Sequence, residues 1–243
     1  IEKQTETSMS HTDDIILLGH GGGGKMTSDL LEQVILPPLK NAILDRLDDS
    51  AVLNLPAHET VFTTDSYVVS PLFFPGGDIG RLAVCGTVND LDMQGGAPLY
   101  LSLGFILEEG LPISQLKAVM VSIAKAAAEA DVAIVTGDTK VVERGSGNGI
   151  FINTSGIGSR VASANVGAAN AKPGDAVLVS GTIGDHGIAV MSRREGLEFE
   201  SKIVSDAVPL ASLTAALLAA CPDVHVLRDP TRGGLTAAAC DIA

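Results

Sequence analysis

Four aspartates stand where predicted strands or helices give way to glycine or to a turn, and they are the residues of this 243-residue chain best placed for chemistry. Asp65 ends the run TVFTTD, Asp90 lies in VNDLDMQGG, Asp138 follows the apolar stretch DVAIVTG, and Asp229 lies in LRDPTRGG. Carboxylates gathered from separate segments repel, and they raise one another's pKa unless a cation joins them. Magnesium suits that duty, being hard, octahedral and usually shared between one or two carboxylates, water and substrate phosphates. An aspartate at a helix C-terminus gains nothing from the dipole, so Asp90 needs another partner. Asp92 points about 200° away from Asp90 on a helix, and the apolar neighbours Val88 and Leu91 favour Asp90 for the site. Taken singly, each aspartate reads as an ordinary turn or cap; four such placements favour a shared site.

Asp138 and Lys140 lie on one side of an extended chain, about 6–7 Å apart along it. That spacing suits a carboxylate on a metal and an ammonium reaching a phosphate or a substrate heteroatom, with a surface ion pair as the simpler alternative. A lysine desolvated beside a metal can also serve as a base. Arg228 and Arg232 bracket Asp229 and offer either a fork of donors for phosphate or plain ion pairs. The GDHG of Gly184–Gly187 offers a helix N-terminus to an anion.

The stretch GHGGGGKMT tests as a P-loop and fails. Gly19, Gly24 and Lys25 fit G-x-x-x-x-G-K-[ST], but Met26 occupies the hydroxyl position and Thr27 comes one residue late. Gly22, Gly23 and Gly24 can still converge backbone N–H groups on a phosphate, with His20 and Lys25 at the loop's ends. A mobile lead is the bland alternative.

Positioning these residues requires a mixed α/β (α+β) arrangement. Residues 1–14 read as a loose acidic tail. IILL, AVLNL and ETVFTTDSYVV read as strands, with a helix from Thr27 or Ser28 bent at Pro37-Pro38 between the first two. PLFFPGGD reads as a turn-rich loop, after which Asp78 caps a helix through Gln94. The strand PLYLSLGFIL, a helix over 114–130 with period 3.6, and the strands DVAIV and GIFINTSGIGSRV complete a first domain over 15–165. ANVGAANAKPGD forms a joint, and a second domain begins at 172 with DAVLVSG as a short buried strand. Helices from Gly184–Asp185, over 205–221 and from Leu235 follow, with DVHVLRDP as a further strand. Seventy residues make a small core, so this second domain is expected to be incomplete by Ala243.

Composition sets the outer limits. Apolar residues make up 46% of the chain and aromatics 3%, so the core must be built from Val, Ile, Leu and Ala. The formal charge of −13 leaves no basic stripe for nucleic acid. Three cysteines without C-x-x-C spacing point away from a disulfide framework. Cys85 and Cys240 read as packing residues. No apolar run reaches 18 residues, and the N-terminal tail has no signal-peptide pattern, so a soluble, cytoplasmic protein is expected.

The strings DIILLGHGGGGK, FTTDSYVVSPLFFPGGDIGRLAVCGTVNDL, GFILEEGLP, AIVTGDTKVVERG, FINTSGIG, VSGTIGDHG and LRDPTRGG together resemble the HypE family of hydrogenase-maturation proteins, within the aminoimidazole ribonucleotide synthetase superfamily. The likeness runs from residue 15 onward. It implies a PurM-like two-domain fold, whose N-terminal four-stranded sheet joins a partner's into a barrel-like core across a homodimer. It also implies ATP in the crevice between domains, with Asp65, Asp90, Asp138 and Asp229 in the magnesium and phosphate region. His20–Lys25 would form a nucleotide lid, and Lys140 would activate the substrate. The implied reaction turns a C-terminal cysteine thiocarboxamide into a thiocyanate at the expense of ATP. A carbamoyltransferase would supply the carbamoyl group, and an iron-carrying scaffold complex would take the cyano group.

The family's acceptor tail, Pro-Arg-Ile-Cys, has no counterpart before Ala243, so this chain alone is not expected to complete the cycle. Two alternatives stand beside the resemblance. A selenophosphate or thiamine-phosphate enzyme shares the ATP-site design, although GHGGGGKM lacks the reactive cysteine of the selenium enzyme. The non-enzymatic alternative is a dimeric module that binds nucleotide or partners without turnover.

Overall fold

The computed structural model describes residues 15–47, 50–57, 59–161, 164–197 and 203–243. The tail expected over 1–14 lies outside them. Helix α1 (Lys25–Leu30) passes into a wide π-turn at Leu31–Ile35 and a short 3-10 turn at Pro37–Leu39. Proline removes a backbone donor and cannot continue the ladder, hence the division of this helix. The strand expected at AVLNL does not form, and residues 51–56 carry no regular structure.

Strand β1 (Thr60–Tyr67) is followed by a small hairpin, β2 (Phe73–Phe74) with β3 (Gly77–Asp78). Helix α2 (Ile79–Asp92) starts as expected: the Asp78 carboxylate accepts from the backbone N–H groups of Gly80 and Arg81 at 2.7 and 3.1 Å. Strand β4 (Gly96–Glu108), helix α3 (Ile113–Glu129), strand β5 (Ala133–Val142) and strand β6 (Ile150–Arg160) follow. The four long strands form one sheet in the order β1-β6-β4-β5, with β4 and β5 parallel and the other pairs antiparallel. The parallel pair is joined through α3, as a crossover requires.

Both long helices lie on one face of this sheet. Leu116, Met120 and Ile123 of α3 and Val84 and Val88 of α2 are fully buried against Leu101, Leu107 and Ile152. Burying such side chains is worth about 1.5–3 kcal/mol each relative to exposure, so this layer is the stable heart of the fold. The opposite face is open. It presents Phe62 at 66% exposure and Ile106 at 44%, among serines, threonines and Asn153.

The C-terminal part contains α4 (Asp185–Glu195), α5 (Ala211–Ala220) and α6 (Gly234–Ile242). Here two expectations fail. DAVLVSG forms no strand, and Val177 and Leu178 are each 84% exposed; residues 224–228 likewise join no ladder. An apolar run becomes a buried parallel strand only when neighbours pair with it and helices cover both faces. Among the described residues nothing does. Cys240 is exposed on α6, not packed as expected, whereas Cys85 is buried as expected. No helix among the described residues is long and apolar enough to cross a membrane.

Candidate functional site

The pleat of β1 decides where its side chains go. Val61, Thr63, Asp65 and Tyr67 face the helices, while Thr60, Phe62, Thr64 and Ser66 face the open side. Asp90 lies in the last turn of α2, directly over Thr63, and the Thr63 hydroxyl donates to the Asp90 carboxylate at 3.1 Å. Segment 227–229 approaches from the C-terminal part. A crevice of about 680 Å³ opens between them, lined by Thr63, Asp90, Gln94, Arg160, Arg228 and Asp229.

Electrostatics mark this crevice. Burial raises the pKa of Asp90, and the charges of Asp229 and Asp65 raise it further, against the Thr63 hydrogen bond and Arg228. Burial likewise raises Asp229, with Asp65 adding to it and Arg228 opposing. Asp65, Asp90 and Asp229 therefore share one neighbourhood, drawn from β1, α2 and the C-terminal part. They do not form a closed cage: no group of three or more His, Cys, Asp or Glu among the described residues is close enough to hold a metal ion. Asp92, as its helical angle implies, points elsewhere. It is 1% exposed with one carboxylate oxygen unpartnered, and burial pushes its pKa up to about 8.

The structure does not bring Asp138 to this group within the chain. Asp138 pairs with Gly104, Gly104 with Asn153, and Asn153 with Ser66, so its row crosses the whole sheet on the open face. Three strand spacings, about 14 Å, separate Asp138 from Ser66 in that row, and Asp65 points to the other face. Asp138 instead meets Lys140 at 3.2 Å, both well exposed. The flexible lysine stem spans the two-residue separation, so within the chain the surface ion pair, the simpler alternative, is what forms.

The glycine loop belongs to that same far edge. Leu18–Gly21 forms a 3-10 turn on β5, and a Cβ at Gly21 would lie 2.6 Å from the Val141 backbone nitrogen, so only glycine fits there. His20 Nδ1 accepts from Leu17 N–H at 2.9 Å and closes the turn. The Thr27 hydroxyl accepts from Gly23 N–H at 2.9 Å, so it caps the loop internally. Gly22, Gly23, Gly24 and Lys25 are exposed, and Lys25 makes no ion pair among the described residues. The predicted residues therefore divide in two: Asp65, Asp90 and Asp229 at the β1 edge, and His20–Lys25, Asp138 and Lys140 at the β5 edge.

Of the remaining candidates, Arg228 is held by Asp241 at 2.6 Å, and Arg232 is exposed. The α4 N-terminus is already answered by the chain itself, since His186 N–H donates to Asp206 at 3.1 Å. Thr63 and Arg160 of the crevice escaped the sequence reading. Thr63 was within its reach, because it stands two residues before Asp65 on the same strand face.

Residues 47–159 match the AIR synthase related protein N-terminal domain and residues 172–243 the corresponding C-terminal domain, so the fold is that of an AIR synthase related protein. Carbamoyl dehydratase HypE of Azotobacter vinelandii is 53% identical over 216 residues, covering 89% of this chain and 63% of the relative. A crystal structure of hydrogenase maturation protein HypE in complex with ATP superposes with a TM-score of 0.90 at 50% identity, covering 93% of this chain and 67% of that one. A HypE–HypF complex gives a TM-score of 0.74 at 51% identity, covering 90% and 70%. The chain belongs to the HypE family. It spans less than two thirds of the length of the Azotobacter relative.

Proposed function

We propose that the chain carries the ATP site of a carbamoyl dehydratase acting in nickel–iron hydrogenase maturation. The observation that carries this reading is the meeting of Asp90 and Asp229, from separate segments, at one crevice, with Asp65 near enough for its charge to act on both. ATP would place its phosphates there. The all-oxygen donor set and the mutual elevation of the carboxylates fit magnesium, and the open arrangement fits an ion that shares its shell with phosphate. Asp90 and Asp229, with Asp65 beside them, would hold it, and the bound ion would neutralise charge on the transferring phosphoryl group.

In the proposed reaction ATP phosphorylates the oxygen of a cysteine thiocarboxamide, and proton loss with departure of phosphate leaves a thiocyanate. Phosphorylation is needed because the amide oxygen is a poor leaving group. Lys25 would add positive charge at the phosphates, and Lys140 would help remove the amide protons. Buried Cys85, whose thiol burial pushes up to about 11, does not suit the acceptor role.

Lys140 and Asp138 can join this chemistry only from a second copy. A homodimer that packs two open sheet faces together, covering Phe62 and Ile106, would bring the β5 edge of one copy towards the β1 edge of the other. The proposed partners are a second copy, the carbamoyltransferase that loads the cysteine, and the iron-carrying scaffold complex, in the cytoplasm. The test is calorimetry of ATP binding with and without magnesium. Magnesium should tighten binding to the wild-type chain, and Asp90→Asn should remove most of that gain; equal gains in both proteins would contradict the reading.

A further inference from the structure

We propose that Tyr67, Thr87 and Thr154 form a buried hydroxyl chain that positions Asp65 against Asp90, an inference that rests on the magnesium–ATP reading of that site. The three residues are 7%, 0% and 1% exposed, inside a core built mainly from apolar side chains. The Tyr67 hydroxyl meets the Thr87 hydroxyl at 3.1 Å, and the Thr87 hydroxyl meets that of Thr154 closely. The Asp65 carboxylate accepts from Ser66 N–H at 2.8 Å.

Each hydroxyl carries one hydrogen, so each contact in the chain needs only one donor, and either member can supply it.

Placement links the chain to both carboxylates. Tyr67 is two residues from Asp65 on one strand face, and Thr154 is the cross-strand partner of Asp65 on β6. Thr87 stands one helical turn before Asp90 on α2, which places the two on one helix face. The hydroxyl chain thus pins α2 over β1 and β6 next to where the two carboxylates emerge. Gly86 makes room for it, because a Cβ there would overlap the Tyr67 hydroxyl. Apolar residues of similar shape could fill this layer without any polar group to satisfy, so packing alone does not call for three hydroxyls.

The experiment compares ATP binding with and without magnesium in Tyr67→Phe, Thr87→Val and Thr87→Ser, each checked by circular dichroism for an intact fold. Tyr67→Phe and Thr87→Val should lower magnesium-dependent affinity about tenfold, leave metal-free ATP binding unchanged, and Thr87→Ser should restore it. A purely structural role would move both affinities together or neither. Should Tyr67→Phe not fold, the Thr87→Val and Thr87→Ser pair decides alone. Asp65→Asn and Asp90→Asn are measured alongside. If they weaken magnesium-dependent binding while the hydroxyl variants do not, the positioning chain is overturned. If the aspartate variants also have no effect, the site reading falls, and this inference with it.

Discussion

Thr63 and Asp90 meet across the gap between β1 and α2, hydroxyl to carboxylate at 3.1 Å, at the mouth of the crevice that Asp229 closes from the other side. That contact favours the ionised form of Asp90 in a place where burial and two like charges oppose it. Thr63→Val removes the donor, so the pKa of Asp90 rises further. Magnesium-dependent ATP affinity should fall about tenfold, equivalent to roughly 1.4 kcal/mol, as calorimetry would show.

Asp92 supplies a stability prediction. Its folded pKa is raised to about 8 from the ordinary 3.8, so the folded state holds the proton more tightly than the unfolded one. The resulting stability is fully present below about pH 4 and is lost as pH rises through about 8. Asp92→Asn removes that titration. Relative to wild type, the variant should gain about 1–3 kcal/mol at pH 9 over its position at pH 5, read from urea midpoints at the two pH values.

Glu108 works with the opposite sign. Its carboxylate accepts from Gly145 N–H at 2.6 Å and Gly149 N–H at 2.9 Å, and those bonds hold its pKa below the ordinary 4.5. The grip on the loop between β5 and β6 is therefore present above pH 4.5 and lost as pH falls through the depressed value. Glu108→Ala should speed amide exchange at Gly145 and Gly149 at neutral pH while leaving exchange in α3 unchanged.

The Asp138–Lys140 pair is exposed, with side chains 67% and 64% accessible. As an ion pair it should be worth less than about 1 kcal/mol, and 1 M salt should weaken it. Asp138→Asn should leave the melting temperature within a few degrees of wild type. Any larger effect on ATP binding should require the dimer, so it should vanish when dilution separates the copies.

The first domain was legible because its signals are local. The alternation in β1, the 3.6 period of Leu116, Val119, Met120 and Ile123, and the Asp78 cap each depend on a few neighbouring residues. What failed depended on distant partners. DAVLVSG has the composition of a buried strand, yet burial needs strands and helices that no local pattern supplies. The aspartates were recognisable one by one, but strand order alone decides which of them meet. The order β1-β6-β4-β5 sends Asp65 and Asp138 to opposite edges and faces, and nothing near either residue encodes that. Thr63 was legible in principle, since period-2 alternation puts it beside Asp65.

The central claim is that Asp65, Asp90 and Asp229 mark where the divalent ion and the triphosphate sit. Crystals of the protein grown with ATP and manganese in place of magnesium, with the ion located by its anomalous scattering, test it most directly. The account predicts manganese bound by Asp90 and Asp229 with phosphate oxygens completing its shell. Manganese and phosphate remote from both aspartates would contradict it.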